Sequence, residues 1–240
     1  MTLRVLLAGQ KWFGASVFRE LLNIPGVEVP VVCAPEGDRL YAQAENARAN
    51  IIPSGSLNQN SMPDGIDLIV AAHSHDFIGE RTRLRARLGG IGYHPSLLPL
   101  HRGRDAVRWA IRMRERVTGG TVYQLSNRMD GGDVLDQRHV FIRPGDTASE
   151  LWRRDLGPLG VRMLADVVGR FARDGFVMGQ PQDESVATWE PAIDRPPAFR
   201  PDLILLGYDK QGARPHKCQE VNNGVGKDER NGSARRAPRA

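Results

Sequence analysis

The sequence predicts an α/β domain built on a doubly wound, mostly parallel sheet, and three observations carry that prediction. Unalternating apolar runs recur at Leu3 to Ala8, Val27 to Cys33 and Ile66 to Ala72. Such runs suit strands covered on both faces. Amphipathic segments separate them, giving a βαβα rhythm. Two late β-rich runs, Thr121 to Leu125 and Val134 to Ile142, flank a turn containing Gly131-Gly132, which predicts an antiparallel pair closing the sheet.

In chain order, the run ending at Gly9 reads as a strand. Ala15 to Asn23 then places Val17, Phe18, Leu21 and Leu22 at helical spacing. The second strand precedes a helix over Arg39 to Asn50, and Ile51 with Ile52 form a short strand. Phe77 to Leu88 reads as a helix, Gly90 to His94 as a strand, and Asp105 to Arg116 as the next helix. A long helix starts at Thr147, where Thr-Ala-Ser-Glu matches a capping box with Glu150 reaching back. Its apolar stripe runs to Phe171, and Gly157-Pro158 is expected to kink or split it. Gln180 to Leu206, with five prolines, reads as irregular.

The chain has 240 residues, enough for one domain of about 200 residues with its own core. Its net charge of +5 is unevenly spread: beyond residue 208 lie eight Lys/Arg and four Asp/Glu, leaving 25 and 24 in residues 1–208. The expected division is therefore a catalytic domain over 1–208 and a basic, disordered tail over 209–240, whose few charges give at most weak, salt-sensitive contact with nucleic acid. Cys33 and Cys218 are the only cysteines and have no metal-ligand spacing, so neither a disulfide framework nor a metal site is expected. No run approaches the ~18 apolar residues of a membrane span, and the reading is a cytoplasmic protein without membrane contact. Nothing in the sequence bears on oligomeric state.

Ligands of doubly wound sheets bind beyond the carboxyl ends of the strands. The first such loop, Gly9-Gln10-Lys11-Trp12-Phe13-Gly14, lacks the glycine spacing of a dinucleotide turn, and no Walker loop is present. A second loop, Tyr93-His94-Pro95-Ser96-Leu97-Leu98-Pro99-Leu100-His101-Arg102-Gly103, delivers a histidine from a strand end and follows it with proline, which forces extended backbone. A lone histidine there reads as well as a satisfied core residue, but the Leu97-Leu98 pair between two prolines suggests a loop that lines something. A third feature, Met129-Asp130-Gly131-Gly132-Asp133, is by itself a hairpin turn. Beside His94 it means more, because an Asp oriented on a His is the minimal unit of general acid–base catalysis.

Together, the strand-end His-Pro-Ser-Leu-Leu-Pro, the Arg-Gly that follows and the later Met-Asp-Gly-Gly-Asp resemble the formyltransferase family over about residues 3 to 190. That family comprises glycinamide ribonucleotide, methionyl-tRNA and sugar N-formyltransferases and the hydrolase domain of formyltetrahydrofolate dehydrogenase. The resemblance implies a Rossmann-like fold with 10-formyltetrahydrofolate as co-substrate, no metal, and His94 and Asp130 as catalytic residues. It implies a folate site from Ala72, His73, Ser74, His75, Phe77, Leu97, Leu98, Met129 and Asp133, and contacts to a small-molecule amine acceptor from Gln10, Phe13, Arg102 and Gly103.

Two departures stand out. The family usually carries an oxyanion-stabilising Asn two positions before the His, where this chain has Gly92. The exchange is expected to leave room beside His94 for a water. The dehydrogenase hydrolase domain shares this loss, the Tyr before the His and the Gly-Gln-x-x-Phe-Gly loop. Fifty residues remain after Glu190, so the additional β-rich domain of the tRNA enzymes and that hydrolase, roughly a hundred residues in the family, is not expected here. The expected activity is formyl transfer to an amine. Hydrolysis to formate and tetrahydrofolate, a non-catalytic folate-binding module, and a nucleotide-binding domain with a nucleic-acid-binding tail stay open.

Overall fold

The computed structural model describes residues 2–194, so the expected tail and the boundary at residue 208 lie outside the described residues. Seven strands form one sheet in the order β3-β2-β1-β4-β5-β6-β7. They span Leu3–Gly9, Val27–Ala34, Asn50–Pro53, Leu68–Ala72, Gly90–His94, Val117–Gln124 and Val134–Phe141. Neighbours through β5 are parallel, and β6 runs antiparallel to both β5 and β7.

The unbroken apolar runs follow from burial on both faces. Val5 and Leu7 of β1, with Leu68, Val70 and Ala72 of β4, join a core beneath α1 (Lys11–Leu22), α2 (Arg39–Asn46) and α6 (Gly157–Asp174). Leu6 and Ala8, with Ile69 and Cys33, point the other way, into a core closed by Leu57, Met62, Ile66, Ile78 and Ala86. Successive strand side chains alternate between faces, so both alternations must be apolar. The chain winds outward through β1, β2 and β3, crosses back through residues 54–67, and lays β4 beside β1. The winding direction therefore reverses between β1 and β4, and a crevice opens beyond Gly9 and Ala72.

Several helix bounds differ from the sequence expectation, each for a tertiary reason. The first helix begins at Lys11 rather than Ala15 because both carboxylate oxygens of Asp38, at 2.9 Å, accept the Lys11 N–H. The second stops at Asn46, and Arg48 takes a left-handed φ of 58° before β3. The expected helix over Phe77 to Leu88 is one turn, α3 (Glu80–Arg83), because the N–H groups of Arg87 and Leu88 are drawn onto Ile66 O and Asp67 O. The helix expected to reach Arg116 is α4 (Ala106–Arg112), since β6 starts at Val117.

The capping box at Thr147 is present: Thr147 N donates to Glu150 Oε2 at 2.9 Å and Glu150 N to Thr147 Oγ1 at 3.2 Å. The helix then divides into α5 (Ala148–Leu151), a π-helical turn over Trp152–Leu156, and α6, with Pro158 in the first turn of α6, where a missing N–H is tolerated. Among the described residues no helix is long and apolar enough to cross a membrane.

Candidate active site

Beyond the carboxyl ends of β1, β4 and β5 lies a cleft of about 880 Å³ with His94 and Asp130 in its wall. That volume falls within the ~300–1,000 Å³ of small-molecule sites.

His94 owes its position to β5. Gly92 and His94 face one side of the sheet and Tyr93 the other. The Tyr93 ring is wedged between Gly120 and Gly160, where an added Cβ would come within 2.5 Å of a ring atom from either side, and its hydroxyl donates to Leu156 O at 2.8 Å. Burial pushes the Tyr93 phenol above its usual ionisation range. His94 is 7% exposed, and its Nε2 lies 2.7 Å from the His101 carbonyl oxygen. A carbonyl only accepts, so Nε2 carries a hydrogen and Nδ1 is left facing Asp130 Oδ2, 3.6 Å away.

Asp130 has a left-handed φ of 49°, a conformation that Asp tolerates better than most residues. One oxygen, Oδ1, accepts the Tyr123 hydroxyl at 2.6 Å, and the other accepts the Gly103 N–H at 2.7 Å. Gly103, with φ 91°, is where that close backbone approach needs glycine. For Tyr123, burial first, then the charge and hydrogen bond of Asp130, hold the phenol well above its usual range, so it remains a donor.

The loop between them is anchored twice. Thr121 Oγ1 donates to Ser96 O at 2.7 Å and accepts from Leu98 N at 3.1 Å, while Gln137 reaches Leu98 O at 2.9 Å. From outside, the segment expected to be irregular acts as a strap. Thr188 takes the His101 N–H on Oγ1 at 2.7 Å and the Arg102 N–H on its carbonyl at 3.0 Å. Gln182 Nε2 donates to Asp130 O and Gly132 O at 2.8 and 2.7 Å. His101 is sandwiched between Glu115 at 2.7 Å and Glu190 at 3.0 Å. Burial opposes its charge, but the hydrogen bonds and charges of Glu115 and Glu190 prevail and raise its ionisation range.

His94, Asp130, His73, Ser74, His75, Met129, Phe13 and Gly103 all line the cleft. Partial desolvation, then the charges of Lys11 and His75, hold His73 below the usual histidine range. The other expected contacts lie outside the cleft wall. Leu98 is buried and Leu97 packs over Gly119, so the leucine pair fills space beneath its own loop. Ala72 is buried at the end of β4 and Gln10 is 9% exposed at the start of α1. Phe77, 90% exposed, borders a separate recess, and Asp133 another.

Arg102, expected to meet the acceptor, is 2% exposed and its guanidinium is taken up by the strap. It donates twice to Gln182 Oε1, at 3.1 and 2.7 Å, and twice to Glu184, at 2.9 and 2.8 Å, with the Trp189 ring 5.9 Å away. Gly92 itself lines the cleft, and a Cβ there would meet Leu125 Cδ2 at 3.2 Å and the Tyr123 ring at 3.4 Å, so a side chain at this position would be tightly packed. The sequence reading missed Tyr123, Trp152, Arg104 and Asp105 in the cleft wall and Gln182, Thr188 and Glu190 in the strap. Tyr123 lies in a run the pattern predicts as a strand, but its place directly across from Gly92 comes from the pairing of β6 with β5, which no local signal announces. Among the described residues no cluster of His, Cys, Asp and Glu is arranged to hold a metal.

Residues 36–167 match the formyl transferase family. The mitochondrial 10-formyltetrahydrofolate dehydrogenase of Mus musculus is 31% identical over 202 residues, covering 78% of this chain and 22% of that protein. The methionyl-tRNA formyltransferase of Lactobacillus delbrueckii subsp. bulgaricus is 29% identical, covering 80% of this chain and 65% of that one. The chain thus spans about a fifth of the dehydrogenases it matches. In fold it resembles the N-formyltransferase of Helicobacter canadensis, solved with folinic acid and dTDP-3-aminofucose, with a TM-score of 0.65 at 16% identity over 79% of this chain and 71% of that one.

Proposed function

This chain belongs to the formyl transferase family, and from that premise we propose that its cleft takes 10-formyltetrahydrofolate and passes the formyl group to an amine, using His94 and Asp130. The observation that carries the reading is the pair itself. A histidine with a fixed tautomer faces, across 3.6 Å, a carboxylate already held by two donors, in a cleft of about 880 Å³ that has room for more than a pterin.

In this mechanism the amine nitrogen bonds to the formyl carbon and the carbonyl oxygen becomes an oxyanion. Asp130 Oδ2 accepts the proton the amine loses. The bond from formyl carbon to folate N10 then breaks, and N10 gains the proton that Asp130 Oδ2 has passed to His94 Nδ1. His73, Ser74 and His75 on one side and Met129 on the other border the space assigned to the pterin, and Gly103, Arg104 and Phe13 border the space for the acceptor.

Hydrolysis is the second reading, supported by the 10-formyltetrahydrofolate dehydrogenase relatives. Purified protein supplied with 10-formyltetrahydrofolate alone should release formate slowly, and an amino sugar or another small amine should raise turnover many-fold. Formate release at full rate without any amine would establish hydrolysis instead. Folate binding with no turnover under either condition would leave a binding module.

A further inference from the structure

Gly92 of β5 and Tyr123 of β6 are direct cross-strand partners. The Tyr123 ring lies over the bare glycine, and with Leu125 it takes up the space a side chain at position 92 would need. Only 8% of Tyr123 is exposed, yet it contributes to the cleft wall, and its hydroxyl reaches Asp130 Oδ1 at 2.6 Å. The opposite oxygen is held by Gly103 N–H at 2.7 Å. The two donors fix the carboxylate plane and turn Oδ2 toward His94.

We propose that Tyr123 is a positioning residue for the acid–base pair, clamping Asp130 as an oriented carboxylate, and that Gly92 is the space-making half of the same device. The proposal rests on Asp130 being the proton acceptor of the reaction. Removing the hydroxyl takes away one of the two donors that hold the carboxylate and frees its side chain to rotate. A larger residue at position 92 collides with the ring and breaks the clamp from the other side.

Tyr123→Phe in the full chain removes one oxygen and keeps the ring. It should lower kcat about 10- to 100-fold, as expected for losing one hydrogen bond to a charged group. KM for 10-formyltetrahydrofolate and affinity for unreactive folinic acid should stay near wild type. Gly92→Asn should be slow as well. Because both changes break one clamp, the double variant should be no slower than the slower single variant. A Tyr123→Phe enzyme with wild-type kcat overturns the proposal, as does loss of folinic acid affinity in step with kcat, which would make Tyr123 a binding residue.

An arm independent of turnover separates this proposal from the reading beneath it. In protein labelled with 13C at Asp side chains, with Asp130→Asn used for assignment, the Asp130 carboxyl resonance should move in Tyr123→Phe relative to wild type, because its 2.6 Å donor is gone. An unchanged resonance refutes the clamp whether or not the wild type consumes folate. A moved resonance, with a wild type that proves inactive, keeps the clamp and refutes the catalytic reading instead.

Discussion

Two glycines of α6 make opposite predictions for the same substitution. A Cβ on Gly160 would lie 2.5, 2.6 and 2.8 Å from three atoms of the Tyr93 ring. That ring cannot retreat, because Gly120 already marks its limit on the other side and its hydroxyl is fixed on Leu156 O at 2.8 Å. A Cβ on Gly169 meets only the end of Arg173 at 3.4 Å and Ile24 Cγ2 at 3.9 Å. Either change to Ala gains about 1 kcal/mol of helix propensity. At Gly160 that gain is outweighed by overpacking of up to about 3 kcal/mol, for a net loss of about 2 kcal/mol. Gly169→Ala should instead stabilise by up to about 1 kcal/mol, so the two variants should melt about 6–12 °C apart. Thermal melts followed by circular dichroism measure this directly. Since Tyr93 precedes His94, Gly160→Ala should also lose activity and Gly169→Ala should not. If Gly160→Ala is as stable as Gly169→Ala, the wedge that places His94 is wrong.

Other consequences follow from the strap and the core. Arg102→Ala should destabilise by about 2 kcal/mol, a discounted figure because its partner Glu184 is half exposed and can rehydrate, and should also slow turnover by releasing Gln182 from Asp130. The ionisation range of His101 is raised by folding, so its contribution to stability is complete below about pH 6.5 and is lost as pH rises through the folded value. Urea unfolding at several pH values should show this loss in wild type and lack it in His101→Asn, a residue that accepts the φ of 54°. Cys33, buried with its thiol pushed up to about 12 by burial and by Asp76, should resist thiol reagents in a Cys218→Ser background until the protein unfolds. Rapid native-state labelling would contradict its placement in the core.

Much of the sheet was legible because its signals are local. Stretches such as Val5 to Ala8 and Leu68 to Ala72 need apolar residues at every position, and the Thr147 capping box is written within four residues. Helix ends were less legible where a distant group decides them, as Asp38 does for Lys11. His94 and Asp130 could be picked out because a strand end and a tight turn mark them. The purpose of Arg102 could not, since its partners Gln182 and Glu184 lie 80 or more residues away in a segment without periodicity. The nearness of the Tyr123 ring to Gly92 depends on strand register, which places the two residues opposite each other.

The central claim is that His94 acts on a formyl group bound in this cleft. Single-turnover consumption of 10-formyltetrahydrofolate, compared between wild type and His94→Ala with folinic acid affinity measured on both, tests it most directly. The account predicts that the variant loses at least about 100-fold in rate, the usual span of a general acid–base residue, while folinic acid affinity stays within about threefold. A His94→Ala enzyme that binds folinic acid and still turns over at the wild-type rate would contradict it.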